Sequence, residues 1–294
     1  MADPSFRDYY QNAFASTRTQ KVSRPIQAMD ESLAKTAALG HPEYEFLQTG
    51  QTTEGKALVF FLDIRGFTKL CFVYDNELLV QIVQALTSAS VSSIARFGGY
   101  VVEFTGDGVM AVFGNSGTQS EETCLAGLHC AAFLMKGVRD DVNPNLKDVG
   151  SDPIRVAVGM EFGDVLWTRI GALNKTQVKP ISEVTFLAGK LSTKRYTDAW
   201  EAKVGENLAA WIPDEFKLRA KRYEYQLGER SYSHDLFLFK WKEFGEEYQK
   251  NSVLLRKRLL ERKLSGGILP GGRAVAPDPA VRSSPRTLKD QPFF

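Results

Sequence analysis

Cysteine is scarce in this sequence, with only Cys71, Cys124 and Cys130 among 294 residues. The three do not have the spacing of a zinc site, and an odd number argues against a disulfide framework. We therefore expect reduced cysteines that serve as packing residues in a cytosolic protein.

An excess of either charge is also missing, since 37 basic and 35 acidic residues leave a net charge of +2. Without a basic stripe there is no case for a nucleic-acid partner. No apolar run reaches the ~20 residues that cross a bilayer. Residues 1–8 also lack the apolar core of a signal peptide. We therefore expect a soluble, cytoplasmic protein that does not bind membranes.

Composition divides the chain into four parts. Residues 1–55 are mixed and polar and are predicted to form an N-terminal arm. Residues 56–240 form the main domain. Residues 241–264 are basic with helical periodicity, and residues 265–294 are rich in Gly, Pro, Ser and Arg, which is typical of a disordered tail.

Hydrophobic periodicity and turn residues predict the elements of the main domain. They are a strand at 57–62, a helix at 76–97, a hairpin of 100–104 and 109–113, a helix at 121–138, a hairpin of 154–162 and 165–170 that turns at Gly163-Asp164, a helix at 182–199, and strands that end at 236–239. This order predicts an α+β fold, a ferredoxin-like antiparallel sheet sandwich.

Two aspartates carry the strongest chemical signal. Asp63 follows the apolar run 58–62, and Asp107 lies in the turn Gly106-Asp107-Gly108 between two strand-like runs. Turn aspartates commonly cap nearby amides, which is the simpler interpretation. Brought together, however, two carboxylates form a hard oxygen site that suits Mg²⁺ or Mn²⁺ holding a triphosphate.

Three segments, at 61–68, 98–114 and 156–165, resemble the class III nucleotide cyclases, the adenylate and guanylate cyclase homology domain. The resemblance covers roughly 56–240. It implies conversion of a nucleoside triphosphate to a 3′,5′-cyclic monophosphate and pyrophosphate, and a homodimer with two shared active sites. Within the family the chain is similar to the pyrimidine cyclases of bacterial Pycsar antiphage systems, whose product would be read by a separate cyclic-nucleotide-binding effector.

The resemblance also assigns the metal and phosphate contacts. Asp63, Asp107 and the backbone carbonyl of Ile64 would hold two Mn²⁺ or Mg²⁺ ions. The amides of Gly66, Phe67 and Thr68 would cradle the phosphates.

The helix that would act on the transition state departs from the family pattern. Phe186 stands where the family has asparagine, and Lys190 stands where it has arginine. Lys190 can deliver a positive charge without the bidentate fork of arginine, and Arg195 could substitute for it. Because Phe186 cannot hydrogen-bond a ribose, a cyclase-like module that binds without turnover is an alternative.

Glu103 and Lys179 occupy the positions that select the base in this family. A carboxylate accepts and an ammonium donates, so Glu103 could take N3–H of uracil while Lys179 donates to O4. Cytosine can place its amino group on Glu103, the pair also fits guanine, and adenine fits the carboxylate at one point only. We expect UTP as substrate, then CTP, with a guanylate or adenylate cyclase as the alternative.

Overall fold

The structure is a computed structural model that describes residues 5–19, 39–172, 175–193, 200–227 and 230–248. Arg195, residues 249–264 of the predicted C-terminal helix and the predicted disordered tail at 265–294 lie outside these ranges. The four predicted segments stay a prediction.

One eight-stranded sheet organises the described chain. Its strands are β1 (Thr52–Ile64), β2 (Gly99–Phe104), β3 (Val109–Phe113), β4 (Val156–Ala172), β5 (Lys175–Ile181), β6 (Glu201–Gly205), β7 (Lys217–Leu227) and β8 (Arg230–Phe239). The strand order is β2-β3-β1-β4-β6-β8-β7, and β5 pairs with β4 off this path. All pairs are antiparallel except β4 with β6.

Helices cover both faces of the sheet. They are α1 (Phe6–Thr19), α2 (Phe67–Val73), α3 (Asn76–Arg96), α4 (Ser120–Gly137), α5 (Asn143–Asp148), α6 (Glu183–Thr193), α7 (Glu206–Ala209) and α8 (residues 241–248). Side chains alternate along β1, so Leu58, Phe60 and Leu62 enter the larger core with α3 and α4, whereas Val59 joins a smaller core with α6. This layering confirms the predicted α+β sandwich.

The predicted second hairpin is wrong. Residues 156–172 form one uninterrupted strand, β4, and its hairpin partner is β5. Gly163 and Asp164, the residues of the predicted turn, pair with Ala57 and Lys56 of β1. The register with β1 extends over its whole length of 13 residues, so the sheet hydrogen bonds override a local turn signal.

One helix combines unusual length with an apolar composition. Among the described residues, α3 is long and apolar enough, by length and composition, to cross a bilayer. Ile82, Leu86 and Ala89 on this helix pack in the larger core, which accounts for its apolar composition.

Both ends of the described chain pack on the sheet layers. His41, Tyr44 and Leu47 of the predicted arm are buried, and β1 already begins at Thr52. His41 bonds the carbonyl of Gly114 at 2.9 Å. At the other end, Phe244 of α8 is fully buried in the larger core.

Candidate active site

The central feature of the site is the close approach of the two strand ends that carry Asp63 and Asp107. Leu62 of β1 pairs with Val109 of β3. Because the strands are antiparallel, the next residue of β1, Asp63, lies opposite Gly108. A Cβ on residue 108 would lie 2.3 Å from the carbonyl oxygen of Leu62 and 3.4 Å from Cα of Asp63. Only glycine allows the turn to sit this close, and the turn brings Asp107 beside Asp63.

The two carboxylates repel each other in a partly buried site. Burial raises the pKa of Asp63 to about 6, and the charge of Asp107 adds to this, while Arg65 and Lys203 oppose it. Burial also raises the pKa of Asp107, against backbone hydrogen bonds of its own residue and of Ile64 that lower it. A bound cation would reduce the repulsion between two carboxylates held together in this way.

The donor chemistry of this pair fits a hard divalent ion. Among the described residues there is no group of three or more His, Cys, Asp and Glu side chains that could hold a metal. Two carboxylates would therefore leave several positions for water, a backbone carbonyl or substrate phosphates. Mg²⁺ and Mn²⁺ sites that bind nucleotides are commonly built in this way.

The predicted phosphate loop follows Asp63 directly. Gly66 has φ of 73° in the left-handed region and precedes α2, which begins at Phe67. No side chain caps this helix. The amides of Gly66, Phe67 and Thr68 thus lie at a turn next to Asp63, and their contact with phosphate stays a prediction.

Glu103 and Lys179, the two residues predicted to select the base, lie 76 residues apart in the sequence but in direct contact in the structure. The Nζ atom of Lys179 donates to Oε2 of Glu103 at 2.9 Å. Both side chains are only partly exposed, on strands β2 and β5. A β-bulge in β2 falls between Val101 and Glu103, and the Gln177 side chain donates to the carbonyl of Val102 within it. Gln177 thereby ties the bulge that orients Glu103 to the strand that carries Lys179.

Phe186 and Lys190 lie one turn apart on α6, with both side chains exposed. The ammonium of Lys190 lies 5.5 Å from the ring centroid of Phe186, a cation–π contact. In this single chain, Lys190 packs on Phe186 at the surface of α6. Its role toward a triphosphate stays a prediction.

Residues 50–182 match the family described as the adenylate and guanylate cyclase catalytic domain. This part of the chain is therefore similar to that catalytic domain. The match spans the predicted phosphate loop, both aspartates and the Glu103–Lys179 pair.

Curated relatives of this cyclase domain carry different substrate names. A cytidylate cyclase from Escherichia coli is 27% identical over 176 residues, which cover 57% of this chain and 38% of that protein. A uridylate cyclase from Rhodovulum sp. (strain MB263) is 26% identical over 141 residues, 47% of this chain and 58% of that protein. The chain spans about 40% of the length of the cytidylate cyclases that it matches.

The fold of the cyclase domain is shared with a solved structure, that of the adenylyl cyclase CyaB from P. aeruginosa. The TM-score is 0.56 at 21% identity, and the match covers 64% of this chain and 95% of that one. At this identity the likeness shows the fold alone.

Sequence reasoning missed Gln177, Glu201 and Lys203 in the cyclase domain. Glu201 and Lys203 alternate with Ala202 and Val204, a pattern that indicates a strand with one face in water. Both side chains are instead buried, 3% and 0% exposed, because α6 covers that face of the sheet. Their position emerges only from the pairing of β6 with β4.

Proposed function

We propose that this protein is a metal-dependent nucleotide cyclase that acts on a pyrimidine nucleoside triphosphate. The observation that supports this most strongly is the convergence of Asp63 and Asp107 at the Gly108 turn. Two partly buried carboxylates with raised pKa values form a site for divalent cations beside a loop suited to phosphates.

The reaction joins the ribose 3′-oxygen to the α-phosphorus and breaks the bond from that phosphorus to pyrophosphate, and the 3′-hydroxyl loses its proton. A bound divalent ion supplies positive charge that lowers the pKa of the 3′-hydroxyl and neutralises the triphosphate. Asp63, Asp107 and the Ile64 carbonyl would hold Mn²⁺ or Mg²⁺, two ions per site. The amides of Gly66, Phe67 and Thr68 would orient the phosphates for in-line attack.

The Glu103–Lys179 pair supplies one acceptor and one donor for a base. Uracil presents O4 beside N3–H, and cytosine presents N3 beside its amino group, so both match the pair at two points. Adenine and guanine present the same two patterns, and adenine therefore fits at two points rather than the single point expected from the sequence. All four bases thus offer a neighbouring donor and acceptor to the pair, so hydrogen bonding to the pair does not separate pyrimidines from purines. The smaller size of the pyrimidine ring must make that distinction.

Similarity to named relatives favours the pyrimidine assignment. Three of the curated relatives are cytidylate cyclases and one is a uridylate cyclase, whereas two are adenylate cyclases. Because three relatives are cytidylate cyclases, CTP is now as strong a candidate substrate as UTP, which the sequence favoured.

A homodimer would complete each site. In a single chain Phe186 is 48% exposed and Lys190 lies over its ring at the surface of α6. A second copy packed against this surface would receive the charge of Lys190 at its own aspartate pair, so that two sites form between two chains.

The test is product formation from each of ATP, GTP, UTP and CTP with Mn²⁺, followed by separation of the cyclic products. We expect cyclic UMP or cyclic CMP as the main product, and none from Asp63→Ala or Asp107→Ala. Asp164→Ala is the matched control, because Asp164 is an exposed aspartate that pairs with Lys56. Preferred turnover of GTP or ATP would replace the pyrimidine assignment with an ordinary signalling cyclase.

One observation favours a second candidate, a nucleotide-binding module without turnover. Phe186, at the position where the family has asparagine, offers no hydrogen bond to a ribose, and its ring is engaged by Lys190. In that case triphosphate would bind with Mn²⁺, no cyclic product would form, and Asp107→Ala would weaken binding only.

For the biological role we propose a second messenger of bacterial antiphage defence, read by a separate cyclic-nucleotide-binding effector. The similarity to cytidylate and uridylate cyclases supports this role. Phage infection of cells that express the wild type or Asp107→Ala, with the neighbouring genes present, tests it. Equal phage yields in the two strains would exclude the role.

A further inference from the structure

A second charged cluster lies beside Asp63, under α6, outside the residues assigned to the site. β1, β4 and β6 are neighbours, and their registers place Asp63, Ala157 and Glu201 in one row across the sheet. The next row on the same face contains Phe61, Gly159 and Lys203.

This cluster is an ion network around one carboxylate oxygen. Lys203 donates to Oε2 of Glu201 at 2.8 Å, and Nη2 of Arg65 donates to the same oxygen at 3.2 Å. Nη1 of Arg65 also donates to the carbonyl of Thr193, the last residue of α6, at 2.7 Å. Arg65 therefore joins the end of β1 to both β6 and α6.

The network interacts with the Asp63 carboxylate. The charges of Arg65 and Lys203 lower the pKa of Asp63, and the charge of Asp63 raises the pKa of Lys203. Two cations thus stand beside two carboxylates in a region from which water is largely excluded, with Lys203 0% exposed. A buried ion pair contributes little to stability against an apolar replacement, so stability alone is a weak reason for this arrangement.

Another buried lysine shows that the fold can hold such a group without carboxylates on both sides. The ammonium of Lys217 on β7 donates to the carbonyls of Ala209 and Ile212 and contacts the exposed Asp214. Lys203 differs because its charge lies next to a predicted metal ligand.

We propose that Lys203 is a positioning residue of the cyclase site, which acts through Glu201 and Arg65. It holds the Glu201 carboxylate through which Arg65 joins the end of β1 to β6, and its charge moderates the attraction of the aspartate pair for a cation. This inference rests on the proposed function for the identity of the site.

Removing the positive and the negative charge should shift Mn²⁺ affinity in opposite directions, whereas damage to the fold would weaken binding in both variants. Lys203→Met removes a positive charge near Asp63 and should tighten Mn²⁺ binding roughly tenfold. Glu201→Gln removes a negative charge and should weaken Mn²⁺ binding by a similar factor. Both variants should lower kcat with little change in KM, since both loosen the anchor of β1.

The experiment is a Mn²⁺ titration of the full chain without nucleotide, followed by the electron paramagnetic resonance signal of free Mn²⁺. Asp107→Ala defines binding at the aspartate pair. Lys217→Met is the matched control, and we expect a lower Tm with an unchanged Mn²⁺ Kd. Opposite shifts in Lys203→Met and Glu201→Gln support the proposal.

Shifts of the same sign in the two variants, or unchanged Kd values in both, would overturn it and leave the network a purely structural element. If Lys203→Met does not fold, an unchanged or tighter Kd in Glu201→Gln overturns the proposal by itself. If the wild type binds Mn²⁺ but yields no cyclic nucleotide, the proposed function fails while the Mn²⁺ shifts still decide the role of Lys203.

Discussion

Replacing Glu103 with glutamine removes the negative charge of the Glu103–Lys179 pair and leaves the shape of the side chain almost unchanged. The pair is joined at 2.9 Å, and the exposed fractions of the side chains are 38% for Glu103 and 25% for Lys179. Such partly exposed ion pairs contribute about 0–1 kcal/mol to stability. For a domain of this size, Glu103→Gln should therefore lower Tm by no more than ~4 °C.

The effect on base recognition should be much larger. A hydrogen bond to a charged acceptor contributes about 1.5–3 kcal/mol when it forms in a partly desolvated site. At about 1.4 kcal/mol for each factor of ten, kcat/KM for the preferred triphosphate should fall roughly 10- to 150-fold in Glu103→Gln. Mn²⁺ binding in the absence of nucleotide should not change, because the metal ligands are untouched.

The assay compares kcat/KM for the four triphosphates, the Mn²⁺ Kd and Tm in the wild type and the variant. Glu45→Gln is the matched control, because Glu45 is 41% exposed and pairs with Arg169 at 2.7 Å. It loses an equivalent surface ion pair away from the predicted base contacts. An unchanged kcat/KM for all four triphosphates would refute the assignment of Glu103 to base recognition.

Three further changes test other parts of the structure. Gly108→Ala should abolish Mn²⁺ binding, because its Cβ would overlap the Leu62 carbonyl at 2.3 Å. The control Gly117→Ala should bind Mn²⁺ normally, because its Cβ would meet only Asn115, at 3.5 Å. Normal binding by Gly108→Ala would show that the turn does not hold Asp107 in place. Because the pKa of Asp63 is about 6, protons compete with the cation near and below that value, and the Mn²⁺ Kd should rise about fivefold on going from pH 6 to pH 5. A Kd independent of pH would remove Asp63 from the ligands. Glu161 is fully buried with a pKa of about 8, raised mainly by burial from 4.5. Its folded pKa is above the unfolded one, so the stability that it contributes is complete below about pH 4.5 and falls as pH rises to about 8, by on the order of 5 kcal/mol. Glu161→Gln should therefore raise Tm at pH 8 and flatten its pH dependence, and an equal Tm in both proteins at pH 8 would contradict this.

Local patterns were sufficient for most of the elements near the site. The apolar run before Asp63 predicted β1, and the glycines around Asp107 predicted the β2–β3 turn, since both signals act over a few residues. Family resemblance assigned Glu103 and Lys179 separately to base selection, which stays a prediction, and the structure adds that they contact each other from different strands.

Local patterns failed where pairing partners decided the outcome. Gly163 and Asp164 carry a turn signal, yet they stay extended because the thirteen-residue strand β1 pairs through them. Glu201 and Lys203 alternate with apolar residues as a water-facing strand would, yet they are buried because α6 covers them.

By itself, then, the sequence determined the two carboxylates, the glycines that let their turns form and the α+β order of elements, since backbone conformation and hydrophobic period are properties of neighbouring residues. Only the tertiary structure decided how far β4 runs, that Gln177 supports the β2 bulge, and that Arg65, Glu201 and Lys203 share a buried network beside Asp63. These features depend on which distant segments pair and what covers them. Whether a given side chain is buried, and at what free-energy cost, therefore depends on the assembled sheet rather than on the segment that carries it.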